Sequence, residues 1–170
     1  TGSDKEYSGR MILGVETDSQ DMDGNVISKR ATDGLSEKSV RDAFSKYLGE
    51  IEQLPPMFSA SKKSGKKLYE LARKGIEVER EAKKITIHKL EIEKMEIPFV
   101  DFKISCSKGT YVRTICSDIG KDLGCGAALH DLRRTASGKF KIENAHTVEE
   151  MRTWTQDDLL RSLVDLFGDF

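Results

Sequence analysis

Apolar and polar residues alternate over 99–106, so that Val100, Phe102, Ile104 and Cys106 fall on one side. This period-two pattern predicts a strand with one buried face. Residues 84–96, with Ile85, Ile87 and Ile92 among polar neighbours, predict a second strand, antiparallel to the first and joined to it across Glu96-Ile97-Pro98. Residues 7–15 (YSGRMILGV) read as a third strand. The run DMDGN at 21–25 reads as a turn between strands, from its Asp and Gly content. The period changes over 35–49, where Val40, Ala43, Phe44, Tyr47 and Leu48 recur at helical spacing. Ser36 suits the N-cap, Leu35 can staple against Val40, and Gly49 stops the helix. After Gly109, Val112, Ile115, Cys116, Ile119 and Leu123 give another apolar helical face that ends at Gly124. A further strand is expected over about 132–142, and Thr147-x-x-Glu150 is a capping box that opens a short helix. Strands in runs, with helices interspersed irregularly, predict an α+β fold.

One segment breaks the pattern. Residues 53–82 begin near a proline pair, pass through a Ser/Lys/Gly stretch and then form a short helix, KKLYELARKG (66–75), stopped by Gly75. This reads as an excursion from the core. Charge marks the same region. Over 61–75, six cations (Lys62, Lys63, Lys66, Lys67, Arg73, Lys74) face one anion, Glu70, and over 103–141 eight cations face three acids. Residues 143–170 reverse the balance, with seven acids against two arginines. The net charge of −1 therefore conceals a basic middle and an acidic tail. The basic middle is either a polyanion-binding face or a set of solvated lysines.

Composition narrows the class. With 170 residues, 37% of them apolar and 34% charged, the chain can bury a core and is not a disordered segment. No apolar run reaches membrane-span length, and no secretory signal pattern is present. Cys106, Cys116 and Cys125 are odd in number and lack metal-type pairing, so reduced, buried thiols in a cytoplasmic protein are expected. The three histidines are scattered, and no metal site is expected.

Arg113 sits in the first turn of the helix that follows Gly109. That end of a helix carries free N–H groups and the positive end of the dipole, which disfavours a cation unless an anion lies opposite. With Lys108 and the free N–H groups, Arg113 would make a receptor for a carboxylate or phosphate. The alternative is a surface arginine stacked on Tyr111.

Four stretches carry a resemblance: KEYSGRMILGVETDSQDMDGNVI, PPMFSASKKSGKKLYELARKGIEVER, SKGTYVRTICSDIGKDLGCGA and LRRTASGKF. In this order and spacing they resemble the TruB family of tRNA pseudouridine synthases across nearly the whole chain. The resemblance implies a pseudouridine-synthase-type mixed, largely antiparallel sheet flanked by helices. Residues 53–82 would be the thumb-like RNA-binding insertion of the bacterial, stand-alone type. It implies conversion of uridine-55 in the TΨC loop of tRNA to pseudouridine, without metal or organic cofactor and with no protein partner, on a base extruded from the loop. Residue by residue, Tyr7 matches the tyrosine that stacks on the target base and takes part in proton removal. Arg113 matches the arginine that ion-pairs with the catalytic aspartate, Asp21 an acid in the same network, and Leu132 an apolar residue packed near the base. By their residues alone, Tyr7 and Leu132 could equally be core and Asp21 a turn cap. Lys62, Lys63, Lys66, Lys67 and Arg73 of the insertion, with Arg133 and Arg134, are candidates for phosphate contacts.

The family's catalytic aspartate lies in a G-x-L-D-P-x-A-T-G motif upstream of the strand that carries Tyr7. No G-x-L-D-P occurs in these 170 residues, and Asp4, Asp18, Asp21 and Asp23 lie in other contexts. The expectation is a fragment truncated at both ends, with residues 1–154 a partial catalytic domain and 155–170 a linker toward a missing PUA-like domain. A non-catalytic tRNA-binding or remodelling module is the alternative for such a chain.

Overall fold

The computed structural model describes residues 3–59, 62–63, 66–67, 69, 76 and 78–162. In chain order these contain β1 (Lys5–Leu13), β2 (Val15–Thr17), β3 (Val26–Lys29), α1 (Glu37–Ser45), β4 (Gly49–Gln53), β5 (Lys62–Lys63) and β6 (Lys66–Lys67). Then come β7 (Lys83–Glu96), β8 (Phe99–Cys106), α2 (Val112–Asp122), β9 (Ala127–Ser137), β10 (Phe140–Lys141), α3 (Val148–Met151) and α4 (Gln156–Ser162). Six strands form one sheet in the order β10-β9-β1-β8-β7-β4, and every pairing in it is antiparallel. The fold is α+β, as the periodicity predicts.

Alternation decides which face is dry. Met11 and Leu13 of β1, Ile85 and Ile87 of β7, and Val100, Phe102, Ile104 and Cys106 of β8 all point to one side. Two helices cover that side. Val40, Ala43 and Phe44 of α1 meet it, with Phe44 edge-on to Phe102 at 6.2 Å between ring centres. Val112, Ile115, Cys116 and Ile119 of α2 complete the layer, and α2 lies along β9. Full burial of each large side chain contributes about 1.5–3 kcal/mol. Gly120 sets how closely α2 approaches, because a Cβ there would stand 2.1 Å from the Ala127 backbone nitrogen. All three cysteines are free and buried in this layer, and burial raises the Cys106 and Cys116 thiols. The opposite sheet face carries ion pairs, among them Arg10–Asp101 at 2.6 Å and Lys103–Glu93 at 2.5 Å.

The structure adjusts several expected boundaries. α1 has the Ser36 cap, with Ser39 completing a capping box, but it ends at Ser45. Gly49, at φ +90, turns the chain straight into β4. The segment that departs from the core thus begins on the core sheet, since Gln53 is the last residue of β4. β9 starts at Ala127, earlier than expected, and Gly138 turns it into β10. The turn at 21–25 joins β2 to β3, and Thr147 caps α3 with Glu150. The helix expected over 66–75 falls largely outside the described residues, and Lys66 and Lys67 at its start are in β6. Among the described residues no helix is long and apolar enough to cross a membrane.

Candidate active site

Four elements converge beside the N-terminus of α2. β1 brings Tyr7, the β2–β3 loop brings Asp21, α2 brings Arg113 and β9 brings Leu132. All four line one open concavity of about 270 Å³, together with Thr110, Tyr111, Val112 and Leu129. The sheet register explains two of them. Gly9 stands opposite Leu132 across the β1–β9 pairing, and a bulge between Glu6 and Tyr7 brings Tyr7 opposite Arg134. Leu132 is 42% exposed, so it is not ordinary core. Tyr7 is half-buried against the hydrophobic layer. Burial raises its phenol above the usual value, the neighbouring Cys106 adds to the rise, and Arg134 opposes it.

Arg113 does meet an anion, and it is Asp21. One guanidinium nitrogen, Nη1, donates to Asp21 Oδ2 at 2.7 Å, and the other, Nη2, donates to the carbonyl oxygen of Phe58. Both charged side chains keep only about a fifth of their exposure (20% and 21%). A pair this shielded is screened less by salt than a surface pair. The Asp21 loop is fastened at several points. Ser19 Oγ donates to Asp21 Oδ1 at 2.5 Å and Thr17 Oγ1 to the Asp21 carbonyl at 2.6 Å. Asp21 also forms an isolated bridge to Leu129 of β9. Lys108 is exposed and does not line the concavity.

Residues that sequence reasoning missed hold this arrangement. Gln53, 3% exposed, clamps Tyr111, the N-cap residue of α2. Its amide accepts from the Tyr111 N–H at 2.8 Å and donates to the Tyr111 carbonyl at 3.1 Å. Thr114 Oγ1 donates to Gln20 Oε1 at 2.7 Å. No local pattern marks Gln53 or Gln20, because their partners are 58 and 94 positions away.

The candidate cations divide. Arg133 and Arg134 are exposed neighbours on β9 and so face opposite sides of the sheet. Arg134 is beside Tyr7, while Arg133 pairs across from Ser8 and lines a different hollow with Arg10 and Asp101. Lys62 and Lys63 pair with Lys67 and Lys66 in the β5–β6 ribbon, so like residues stand directly opposite one another. Arg73 lies outside the described residues.

Comparison with known proteins supplies the family. The model of the TruB family pseudouridylate synthase N-terminal domain matches residues 1–112. The chain belongs to the TruB family. The model of the tRNA pseudouridylate synthase B C-terminal domain matches residues 113–165 of this TruB-family chain. Among curated relatives, tRNA pseudouridine synthase B of Protochlamydia amoebophila is 50% identical over 94% of this chain and 61% of its own length. The enzyme of the same name from Clostridium tetani is 47% identical over 86% of this chain and 51% of its own. That from Geobacter sulfurreducens is 47% identical over 98% and 56%. The chain thus spans between about half and three-fifths of the length of these relatives. A solved Cbf5–Nop10–Gar1 complex matches with a TM-score of 0.62 at 28% identity, covering 87% of this chain and 35% of that one. An H/ACA ribonucleoprotein bound to a substrate RNA containing 2′-deoxyuridine shares the fold, with a TM-score of 0.58 at 23% identity over 87% of this chain and 33% of that one.

Proposed function

We propose that this chain carries the base-binding and arginine side of a tRNA pseudouridine synthase site, acting on uridine-55 of the TΨC loop. One observation carries the reading. Tyr7, Asp21, Arg113 and Leu132, each taken from a separate stretch of sequence, line a single concavity.

A uridine turned out of its loop would enter between Tyr7 and Leu132. An aromatic face and an exposed leucine suit the two sides of a base, and stacking on such a ring contributes about 1–3 kcal/mol per base. The Tyr7 phenol, neutral near pH 7 as any tyrosine is and moved further from ionisation by burial, offers a ring face and a hydrogen bond in preference to a phenolate. Arg113 presents a fixed guanidinium beside the base. Asp21 and the Phe58 carbonyl orient it, and it can hold a further carboxylate or stabilise developing negative charge without reorganising. The 170 residues contain no G-x-L-D-P, so breaking the glycosidic bond is assigned to no residue here. Residues 53–82 would grip the RNA. Lys62 and Lys63 stand in register with Lys67 and Lys66, and a phosphate backbone would suit four cations placed so densely.

The missing motif favours a second reading for the chain by itself, a tRNA-binding module without turnover. Tritium release from a TΨC stem-loop labelled at uridine C5, run beside a binding titration, separates them. Release by the full-length gene product with binding alone by the 170 residues is expected. Failure of the full-length product to release tritium from any tRNA would defeat the first reading, and absence of hairpin binding by the chain would defeat both.

A further inference from the structure

Gln20 is the only non-glycine among the described residues with a left-handed backbone, at φ 69. In that region Cβ crowds the following carbonyl oxygen, and glutamine has no preference that offsets the crowding. Residues persist there when their surroundings over-determine them, and they cluster at functional sites. Three contacts hold Gln20. Its N–H donates to the Thr17 carbonyl at 3.2 Å, and its carbonyl accepts from the Leu129 N–H at 3.0 Å. Its side-chain Oε1 accepts from Thr114 Oγ1 at 2.7 Å.

The third contact comes from α2, one residue after Arg113. Two parallel rungs therefore join the β2–β3 loop to α2, Gln20 to Thr114 and Asp21 to Arg113. Thr114 is 3% exposed, and its hydroxyl is spent on Gln20 within a buried setting. The direction of the Asp21 side chain follows from the backbone of the residue before it. If Gln20 relaxed to right-handed or extended geometry, Asp21 would swing away from the guanidinium.

We propose that Gln20 and Thr114 are positioning residues, and that the Thr114–Gln20 hydrogen bond maintains the left-handed backbone that aims Asp21 at Arg113. This rests on the reading of the Asp21–Arg113 pair as part of the tRNA-modifying site. The pair then arrives aligned and needs no rearrangement when the base enters, and misplacement of such a group by about 1 Å can cost on the order of 10²-fold in rate.

The test uses Thr114→Val, which keeps the shape without the hydroxyl, and Thr114→Ser, which keeps the hydroxyl. Gln20→Met, which keeps the length of the side chain without its amide acceptor, serves if the valine variant does not fold. The first measurement is the Arg113 guanidinium ¹⁵N spectrum of the chain, where a held ion pair gives separate, slowly exchanging Nη signals. The second is turnover of tritiated tRNA by the full-length gene product. Thr114→Val is expected to collapse the Arg113 Nη signals and to lower kcat by roughly ten- to a hundredfold with KM unchanged, and Thr114→Ser to restore both. An unchanged Arg113 spectrum in Thr114→Val, or failure of serine to restore it, overturns the proposal. A collapsed spectrum with kcat unchanged also overturns it, because the latch would then only fasten the loop. If wild-type protein turns over no tRNA, the functional reading fails, and the spectrum alone decides whether the latch aims Asp21.

Discussion

Arg113 occupies a position that elementary electrostatics disfavours unless an anion lies opposite, and Asp21 supplies that anion. Two acceptors are present, Asp21 Oδ2 and the Phe58 carbonyl, each taken by a different Nη. In the proposed reaction a carboxylate or charge developing on the substrate would be a further one. Lysine keeps the charge but has one compact, freely rotating head in place of a planar fork, so it loses the fixed geometry in which separate nitrogens hold Asp21 and Phe58. Arg113→Lys in the full-length gene product is expected to lower single-turnover tritium release by on the order of 10²-fold while tRNA affinity changes little. Near-wild-type release would remove Arg113 from the chemistry. At this scale the sequence was legible in part. A cation in the first turn of a helix announces that an anion lies opposite, but the anion is 92 positions away and no local spacing points to it. The bend at Gln20 is less legible still, because glutamine, unlike asparagine or glycine, does not signal left-handed backbone.

Between elements, the decisive joint is β4 to α2. No side-chain hydrogen bond caps the helix at Tyr111, and Gln53 bonds both its backbone N–H and its carbonyl from the neighbouring strand. Gln53→Leu would take this acceptor from the part-buried Tyr111 N–H and one of three donors from its carbonyl, which keeps the Thr114 and Ile115 N–H groups, at the base of the helix that carries Arg113. A loss of about 1–3 kcal/mol, chiefly from the N–H, is expected in urea unfolding of the chain, and a change below about 0.5 kcal/mol would show that the clamp holds nothing. The sheet's open face makes a prediction in pH. The Arg10 guanidinium lowers the Asp101 carboxyl below the usual carboxylate range, chiefly through its hydrogen bond. A depressed native pKa contributes stability above the unfolded value of about 4 and loses it as pH falls through the native one. Wild type should therefore exceed Arg10→Gln in stability at pH 7, with the gap closing below about pH 4, and a gap that widens on acidification would contradict the pairing. Most elements here were legible because period and burial coincide, as in Val100–Cys106 of β8 and Val112–Ile119 of α2. β4 was not, since Gly49 and two outward glutamates leave only Ile51 and Gln53 turned inward. The early start of β9 was hidden by Ala127 and Ala128, small residues with weak strand preference, both buried, Ala127 in the core layer under α2 and Ala128 on the other face of the sheet.

On the scale of the whole molecule, charge is sorted by distance from the core. The exposed sheet face pairs its cations with acids, as in Arg10–Asp101 and Lys103–Glu93, and so offers little net field to a polyanion. The β5–β6 ribbon does the opposite, setting Lys62 against Lys67 and Lys63 against Lys66 in register. Four cations in so short a ribbon would suit a phosphate backbone laid along it. Each phosphate neutralised releases counterions, so the logarithm of the binding constant falls with the logarithm of salt by roughly 0.7–0.9 per contact. Replacing Lys62, Lys63, Lys66 and Lys67 together by glutamine should weaken TΨC hairpin binding and flatten that slope by about three, since four contacts at 0.7–0.9 each are removed. A slope unchanged by the quadruple substitution would move the RNA contact away from the ribbon and onto other cations, with Arg134 beside Tyr7 the next to test.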